Sequence, residues 1–212
     1  MGQHYLDRLF APHSVAVFGA SEKPDTVGTL VFRNLLAGGF SGELYAINPK
    51  HERVQGKPCY PDIEHIGKVV DLAVIATPAQ TVPDIIRQCG EAGVRVAVIL
   101  SAGFGESGDA GVLLEKEILE HARLYDMRIV GPNCLGILRP QSGLNASFSN
   151  SNVLPGRMAF VSQSGALCTA ILDWAQSSAI GFSAIVSLGD AVDVDFGDVL
   201  SYLALDPHTS SI

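Results

Sequence analysis

The sequence predicts an α/β fold, a doubly wound parallel sheet followed by part of a second α/β unit. Three observations lead there. Short β-branched runs recur along the chain, each run is nearly continuous rather than alternating, and an amphipathic stretch separates one from the next. Strands covered on both faces lack polar alternation, and a repeated strand–helix–strand unit with right-handed crossovers builds a parallel sheet. The runs start ~22–33 residues apart, the length of one such unit.

The first five strands are expected at residues 14–19 (SVAVFG), 43–48 (ELYAIN), 72–77 (LAVIAT), 94–101 (VRVAVILS) and 127–131 (MRIVG). A helix is expected over 26–36, where Val27, Leu30, Val31, Asn34 and Leu35 share a face; Gly38 and Gly39 then provide a stop. Further helices are expected over 81–92 and 109–125, the latter presenting Leu113, Leu114, Ile118 and Ala122 together. Residues 135–157 have no sustained periodicity and are rich in Ser, Asn, Gly and Pro. That texture predicts a domain over 1–140, a linker over 141–157 and a second domain over 158–212. The second domain should hold strands at 158–162 and 182–188, with helices at 166–176 and 197–205. Residues 210–212 look like the first step of another strand, so this domain is expected to be cut short.

Composition narrows the function. Of 212 residues, 47% are hydrophobic and 17% charged, enough to form a core. The net charge of −8 comes without any basic run, which argues against nucleic acid or an anionic membrane as partner. No apolar run approaches the ~20 residues of a membrane helix, and the first residues lack a secretory signal pattern. The expectation is a soluble cytoplasmic protein. Cys59, Cys89, Cys134 and Cys168 are widely spaced, predicting reduced thiols and no metal centre.

Ligands of open parallel sheets bind beyond the carboxyl ends of the strands, so those ends hold the candidate residues. Gly19, Ala20 and Ser21 close the first strand and open a helix, where free N–H groups favour a phosphate. The second strand ends in Asn48-Pro49-Lys50, where a dinucleotide binder usually places Asp or Glu; Lys50 suits an extra phosphate. Thr77 and Pro78, then Ser101, Ala102, Gly103 and Phe104, close the next two strands with small residues that let a ligand approach the backbone. Phe104 is either a platform for adenine or a pantetheine arm, or a hydrophobic lid on the sheet edge. Asn133 and Cys134 sit in a rigid turn, with no His nearby to activate the thiol. Ser162, Gln163, Ser164 and Gly165 join a strand to a helix and suit a phosphoryl group better than a nucleophile elbow, which needs Gly where Ser162 and Ala166 stand. Asp190, Asp193, Asp195 and Asp198 do not match a calcium loop; Asp195 or Asp198 is expected to cap a helix.

In order, Val-Phe-Gly-Ala-Ser-x-x-Pro (17–24), Asn-Pro-Lys (48–50), Ala-Thr-Pro (76–78), Ser-Ala-Gly-Phe-Gly-Glu (101–106), Gly-Pro-Asn-Cys-Leu-Gly (131–136) and Ser-Gln-Ser-Gly (162–165) resemble the NDP-forming acyl-CoA synthetase superfamily, to which the succinyl-CoA synthetase α subunit belongs. Residues 143–148 (GLNASF) and 171–176 (ILDWAQ) look closest to Pat-type protein lysine acetyltransferases. The resemblance implies a Rossmann-type CoA-binding domain followed by part of a flavodoxin-like ligase domain. It assigns CoA or acetyl-CoA to Gly19, Ala20, Ser21, Lys50, Thr77, Pro78, Ser101–Phe104 and Asn133. Ser162–Gly165 would form one wall of a phosphate site. It implies no catalytic residue here, because none of His4, His13, His51, His65, His121 or His208 occupies the family's phosphohistidine position. Any ATP or ADP site falls to regions outside 1–212. The implied partners are a CoA thioester, the remaining domains of a parent protein and, for some members, a second copy. The main expectation is therefore the CoA-binding region of a lysine acetyltransferase. The alternatives are the α-type portion of an ADP-forming acyl-CoA ligase and, remotely, an NADP oxidoreductase using Lys50 for a 2′-phosphate.

Overall fold

The computed structural model describes residues 4–151 and 153–212. Residues 1–3 of the expected first domain, and Asn152 in the expected linker, lie outside them. In chain order the elements are α1 (Asp7–Phe10), β1 (Ser14–Phe18), α2 (Val27–Ala37), β2 (Glu43–Ile47), β3 (Arg53–Val54), β4 (Lys57–Tyr60), β5 (Leu72–Ile75), α3 (Val82–Glu91), β6 (Val96–Ile99), α4 (Asp109–Leu124), β7 (Arg128–Val130), β8 (Gly136–Arg139), β9 (Leu144–Ser147), β10 (Leu154–Ser162), α5 (Gly165–Ser177), β11 (Gly181–Ser187) and α6 (Phe196–Leu203).

The first sheet runs β3-β4-β2-β1-β5-β6-β7, with the five expected strands parallel. Their continuous apolar character follows from cover on both faces. Val15, Val17, Val74 and Val98 pack against Phe10 of α1 and Val31, Phe32 and Leu35 of α2. Ala16, Phe18, Ile75 and Ile99 pack against Ile86 of α3 and Ile118 of α4. The short β3–β4 hairpin, which adds to β2 in parallel, was not expected; its Lys-Pro-Cys-Tyr and Arg-Val segments are too short and mixed to show a period.

The second sheet runs β10-β11-β8-β9. Only β10 and β11 are parallel; β8 lies antiparallel to β11 and to β9. The segment 141–157 is therefore not a linker. It contains β9 and the start of β10, while β8, from the expected first domain, also belongs to this second sheet. Asn145, Ser147, Ser149 and Ser151 within it are buried and hydrogen-bonded. The Ser147 hydroxyl donates to Asn145 Oδ1 at 2.6 Å, the Ser149 N–H donates to Ser147 Oγ at 3.3 Å, and the Ser151 hydroxyl donates to the Asp173 carboxylate. Asn34 of α2 donates to the carbonyls of Ser147 and Ser149 at 2.8 and 2.7 Å, docking β9 onto the first domain. The strand expected at 210–212 is a single parallel bridge, Met158 to Ser211.

The loop after β11 runs along the outer edge of β7. The N–H groups of Asp190, Val192 and Val194 donate to Pro132, Gly131 and Ile129 oxygens at 3.0, 3.2 and 3.0 Å. The Asp193 carboxylate accepts the Ile129 N–H at 2.7 Å and Arg128 Nε at 3.0 Å. Arg128 also reaches Asp198 at 2.9 Å and lies over the Tyr5 ring, and Tyr5 donates to the same carboxylate at 2.6 Å. The unpaired edge of β7, a liability in any open sheet, is thus covered by the second domain. No helix among the described residues is long and apolar enough to cross a membrane.

Candidate functional site

From β1 the chain crosses to β2 on one side and later returns to β5 on the other, which opens a crevice where the carboxyl ends of β1 and β5 part. A cavity of about 1360 Å³ fills that place, and Gly19, Ser21, Lys50, Thr77 and Pro78 all line it. Its entrance turn depends on two glycines. Gly19 has φ +84°, and a Cβ there would lie 2.6 Å from the Ala76 oxygen. A Cβ on Gly28 would lie 1.9 Å from the Gly19 oxygen, so α2 begins directly against the turn. Thr26, at the N-cap of α2, makes no side-chain cap, and its hydroxyl donates to the Lys23 oxygen at 3.1 Å instead. The first N–H groups of α2 are left without that cap beside the cavity, as a bound phosphate requires.

Lys50 is positioned by Asn48. The Asn48 amide donates to the Ala20 oxygen at 2.9 Å, and its Oδ1 accepts the Lys50 N–H at 3.0 Å. The Lys50 side chain is exposed and has no salt bridge among the described residues. Ala20, in contrast, is fully buried and does not line the cavity; it contributes only its carbonyl to this turn.

The third predicted segment lies apart from this crevice. None of Ser101, Ala102, Gly103 or Phe104 lines the crevice. Ser101 donates its hydroxyl to the Thr77 oxygen at 2.5 Å, bracing the neighbouring strand end. The N–H groups of Gly103 and Phe104 are bonded to the Glu106 carboxylate at 2.5 and 3.0 Å, so they are not offered to a ligand. Burial pushes the Glu106 carboxyl upward, but these N–H bonds outweigh it and hold it below its ordinary range. Phe104 is a core residue beneath α4, where a Cβ on Gly111 would come 1.7 Å from the Phe104 oxygen. It is neither a stacking platform nor a lid. Ala102 remains exposed on the rim.

A second cavity, of about 820 Å³, opens where β7 and β11 end beside the start of α5. Asn133, Gln163, Ser164, Gly165 and Asp190 line it. Asn133 therefore belongs with the expected phosphate residues and not with the first crevice. Ser164 caps α5 by accepting the Leu167 N–H at 3.2 Å. Ser162 is buried and accepts the Ser164 N–H at 3.1 Å, so it shapes this turn from behind. A Cβ on Gly165 would meet nothing closer than Leu135 at 3.5 Å, so there is room at the helix start. Asp195 caps α6 in a reciprocal box with Asp198, as the sequence suggested.

Cys134 is buried and donates its S–H to the Ile99 oxygen at 3.3 Å. Burial pushes its thiol up to about 12, which removes the thiolate a nucleophile needs. Iodoacetamide at pH 8, followed by mass spectrometry of the folded protein, is expected to label half-buried Cys59 first and leave Cys134 unmodified. Early labelling of Cys134 would contradict its burial.

Residues 13–140 match the sequence profile of the CoA binding domain. The chain belongs to this family. Behind its CoA-binding domain, residues 155–212 match the succinyl-CoA ligase like flavodoxin domain, the pairing found in NDP-forming acyl-CoA synthetases. Among curated relatives, the ADP-forming acetate–CoA ligase I of Archaeoglobus fulgidus is 45% identical over 98% of this chain and 30% of its own length. The α subunit of the Pyrococcus furiosus ADP-forming acetate–CoA ligase I is 42% identical over 98% of this chain and 46% of its own. The chain thus spans less than half the length of either relative. A solved structure of acetyl-coenzyme A synthetase 1 from Ca. Korarchaeum cryptofilum, in complex with phosphate and ADP, superposes with a TM-score of 0.93. It is 43% identical over 97% of this chain and 44% of that one.

Proposed function

We propose that this chain is the CoA-binding, α-type portion of an ADP-forming acyl-CoA ligase. The observation that supports it most directly is the crevice at the β1/β5 switch point. There an uncapped helix start and a lysine held by Asn48 face one cavity. In this reading the start of α2 accepts the pyrophosphate and Lys50 accepts the 3′-phosphate of CoA. The pantetheine arm leaves past Pro78 and the exposed rim at Ala102, directing the thiol toward Asn133 and the second cavity. The start of α5 there receives the phosphoryl group of an acyl phosphate. The phosphohistidine relay and the nucleotide site belong to regions outside 1–212, so the part played here is to hold and orient the carrier. A cytoplasmic location agrees with reduced, separated cysteines and a CoA ligand.

The ligase names and extents of the relatives favour this reading over the acetyltransferase one. The two segments behind the latter, 143–148 and 171–176, fold as β9 with one residue on either side and as the second half of α5. Of these residues Phe148 alone lines either cavity.

Titration calorimetry with CoA and dephospho-CoA tests the proposal. Lys50→Ala is expected to weaken CoA binding about 10- to 100-fold, the loss of one charge-assisted phosphate bond. It should leave dephospho-CoA binding nearly unchanged, so that the two ligands become equivalent. An equal loss on both would remove the role given to Lys50, and no CoA binding by the unaltered chain would remove the proposal itself.

A further inference from the structure

The β3–β4 hairpin does more than extend the first sheet. Its turn is Gln55-Gly56, with φ +48° and +79°. Two positive φ values in succession suit the two-residue hairpin turn for which Asn-Gly is the common pair. Asn enters the left-handed region more readily than Gln, because its short side chain can bond the local backbone. The sequence nevertheless carries Gln here, and the longer side chain is put to use. Its amide donates to the Thr29 oxygen at 3.0 Å and to the Ser21 oxygen at 3.4 Å. The Gln55 N–H donates to the Glu22 carboxylate. The tip of the hairpin is thereby fastened to the loop between β1 and α2.

That loop has too few donors of its own for its oxygens. The Thr26 hydroxyl serves the Lys23 oxygen at 3.1 Å. The Thr29 hydroxyl stands 2.8 Å from the Lys23 oxygen and 2.9 Å from the Ser21 oxygen, but it has one proton to give. Gln55 supplies Ser21 with a further donor and holds the Glu22 carboxylate away from the cavity lining. Ser21, Lys23, Thr26 and Gly28 line the cavity, whereas Gln55 does not. Acceptors held from behind do not turn toward a bound phosphate, and donors fixed before the ligand arrives need no reorganisation.

Resting on the reading of this crevice as the CoA site, we propose that Gln55 is a positioning residue for the CoA pyrophosphate, setting the β1–α2 loop from the hairpin tip. It acts through Ser21, Glu22 and Thr29 and touches no ligand atom. The base of the same hairpin serves the other phosphate. There the Asn48 N–H donates to the Tyr60 oxygen at 2.9 Å, and Asn48 in turn holds the Lys50 N–H. The two contributions are separable: the tip governs the pyrophosphate and the base governs Lys50.

Calorimetric titration of Gln55→Asn and Gln55→Met with CoA and dephospho-CoA, beside thermal unfolding of each variant, tests this. Asn suits the positive φ but is one methylene short of Thr29; Met keeps the length and has no donor. Both variants are expected to bind both ligands about fivefold more weakly, with the ratio between the ligands unchanged. Gln55→Asn should at the same time unfold at a temperature equal to or above that of the unaltered protein. A residue with a purely structural role would not give this combination, since affinity would then follow stability. Unchanged affinity in either variant overturns the proposal and leaves the CoA crevice standing. A greater loss for CoA than for dephospho-CoA overturns it as well, because the effect would then run through the hairpin base and Lys50. A fall in the Tm of Gln55→Asn that accompanies its loss of affinity traces the residue to folding alone and overturns it too. If the unaltered chain binds neither ligand, the reading of the crevice and this inference fall together.

Discussion

Replacing Asp206 by alanine is expected to lower stability by about 3–5 kcal/mol, because it leaves a buried guanidinium without its counter-charge. Arg139 on β8 and Asp206 beyond α6 meet in two hydrogen bonds, of 2.7 and 3.3 Å, with side chains 8% and 5% exposed. Thr209 adds a third bond to the carboxylate at 2.7 Å, and the guanidinium lies near the Phe10 ring. Arg139 Nε has no partner even with Asp206 in place, so nothing nearby stands ready to replace the lost acceptors. For a chain of this size the loss corresponds to a fall in Tm on the order of 10 °C. The pair also gives the pH dependence a sign. Burial pushes the Asp206 carboxyl upward, but Arg139 and Thr209 outweigh it and hold it below its ordinary value of 3.8. Its stabilising contribution is thus complete above about 3.8 and disappears as pH falls through the lower, folded-state value. Calorimetry should show the gap between the variant and its parent closing as the medium is acidified below that range. A loss under about 1 kcal/mol at neutral pH would mean that water reaches Arg139.

The second large effect is expected from Gly28→Ala. Its new methyl group would lie 1.9 Å from the Gly19 oxygen, where ordinary contact begins at 3.4 Å, so one backbone must move by about 1.5 Å (3.4 minus 1.9). Overpacking of this kind costs about 1–3 kcal/mol. The heavier consequence is for binding, since the retreat separates the uncapped start of α2 from the Gly19 turn. Misplacement of a positioned group by about an ångström is associated with losses of about 100-fold, and a deficit of that order in CoA affinity is expected. Gly39→Ala provides the comparison. It meets nothing within 4 Å but has φ +74°, so it should cost about 1 kcal/mol of strain and leave CoA affinity intact. Equal CoA losses in the two variants would trace the effect to general destabilisation.

The five parallel strands and their helices were legible because fully covered strands of Val, Ile and Ala announce themselves as unbroken apolar runs. The crevice was legible for a related reason: Gly19, Lys50 and Thr77-Pro78 stand at the ends of those runs, and topology does the rest. Ser101–Phe104 shares that position, yet its backbone donors had already been claimed by Glu106. The three-residue interval from Gly103 to Glu106, with Gly111 close behind, was the available sign of a self-closed turn. The β8–β9 pair was missed because it runs into a polar stretch whose buried Asn145, Ser147, Ser149 and Ser151 read as loop, while two of the groups that satisfy that stretch, Asn34 and Asp173, lie far away in sequence. Composition records the polarity of such residues and not whether it is satisfied. Asp190 escaped as a cavity residue for a similar reason, since its opposite wall comes from α5 and the turn before it.

The way residues 190–194 lie along β7, together with the grip of Asn34 on β9, bears on modularity. Cutting after residue 140 to excise the front unit would sever β8 from β9 and β11, bare the flank of β7, and strand the Asn34 amide. The two halves share their seams, so a graft or chimera built from this protein has to carry both, and shuffling between relatives would exchange them as one block.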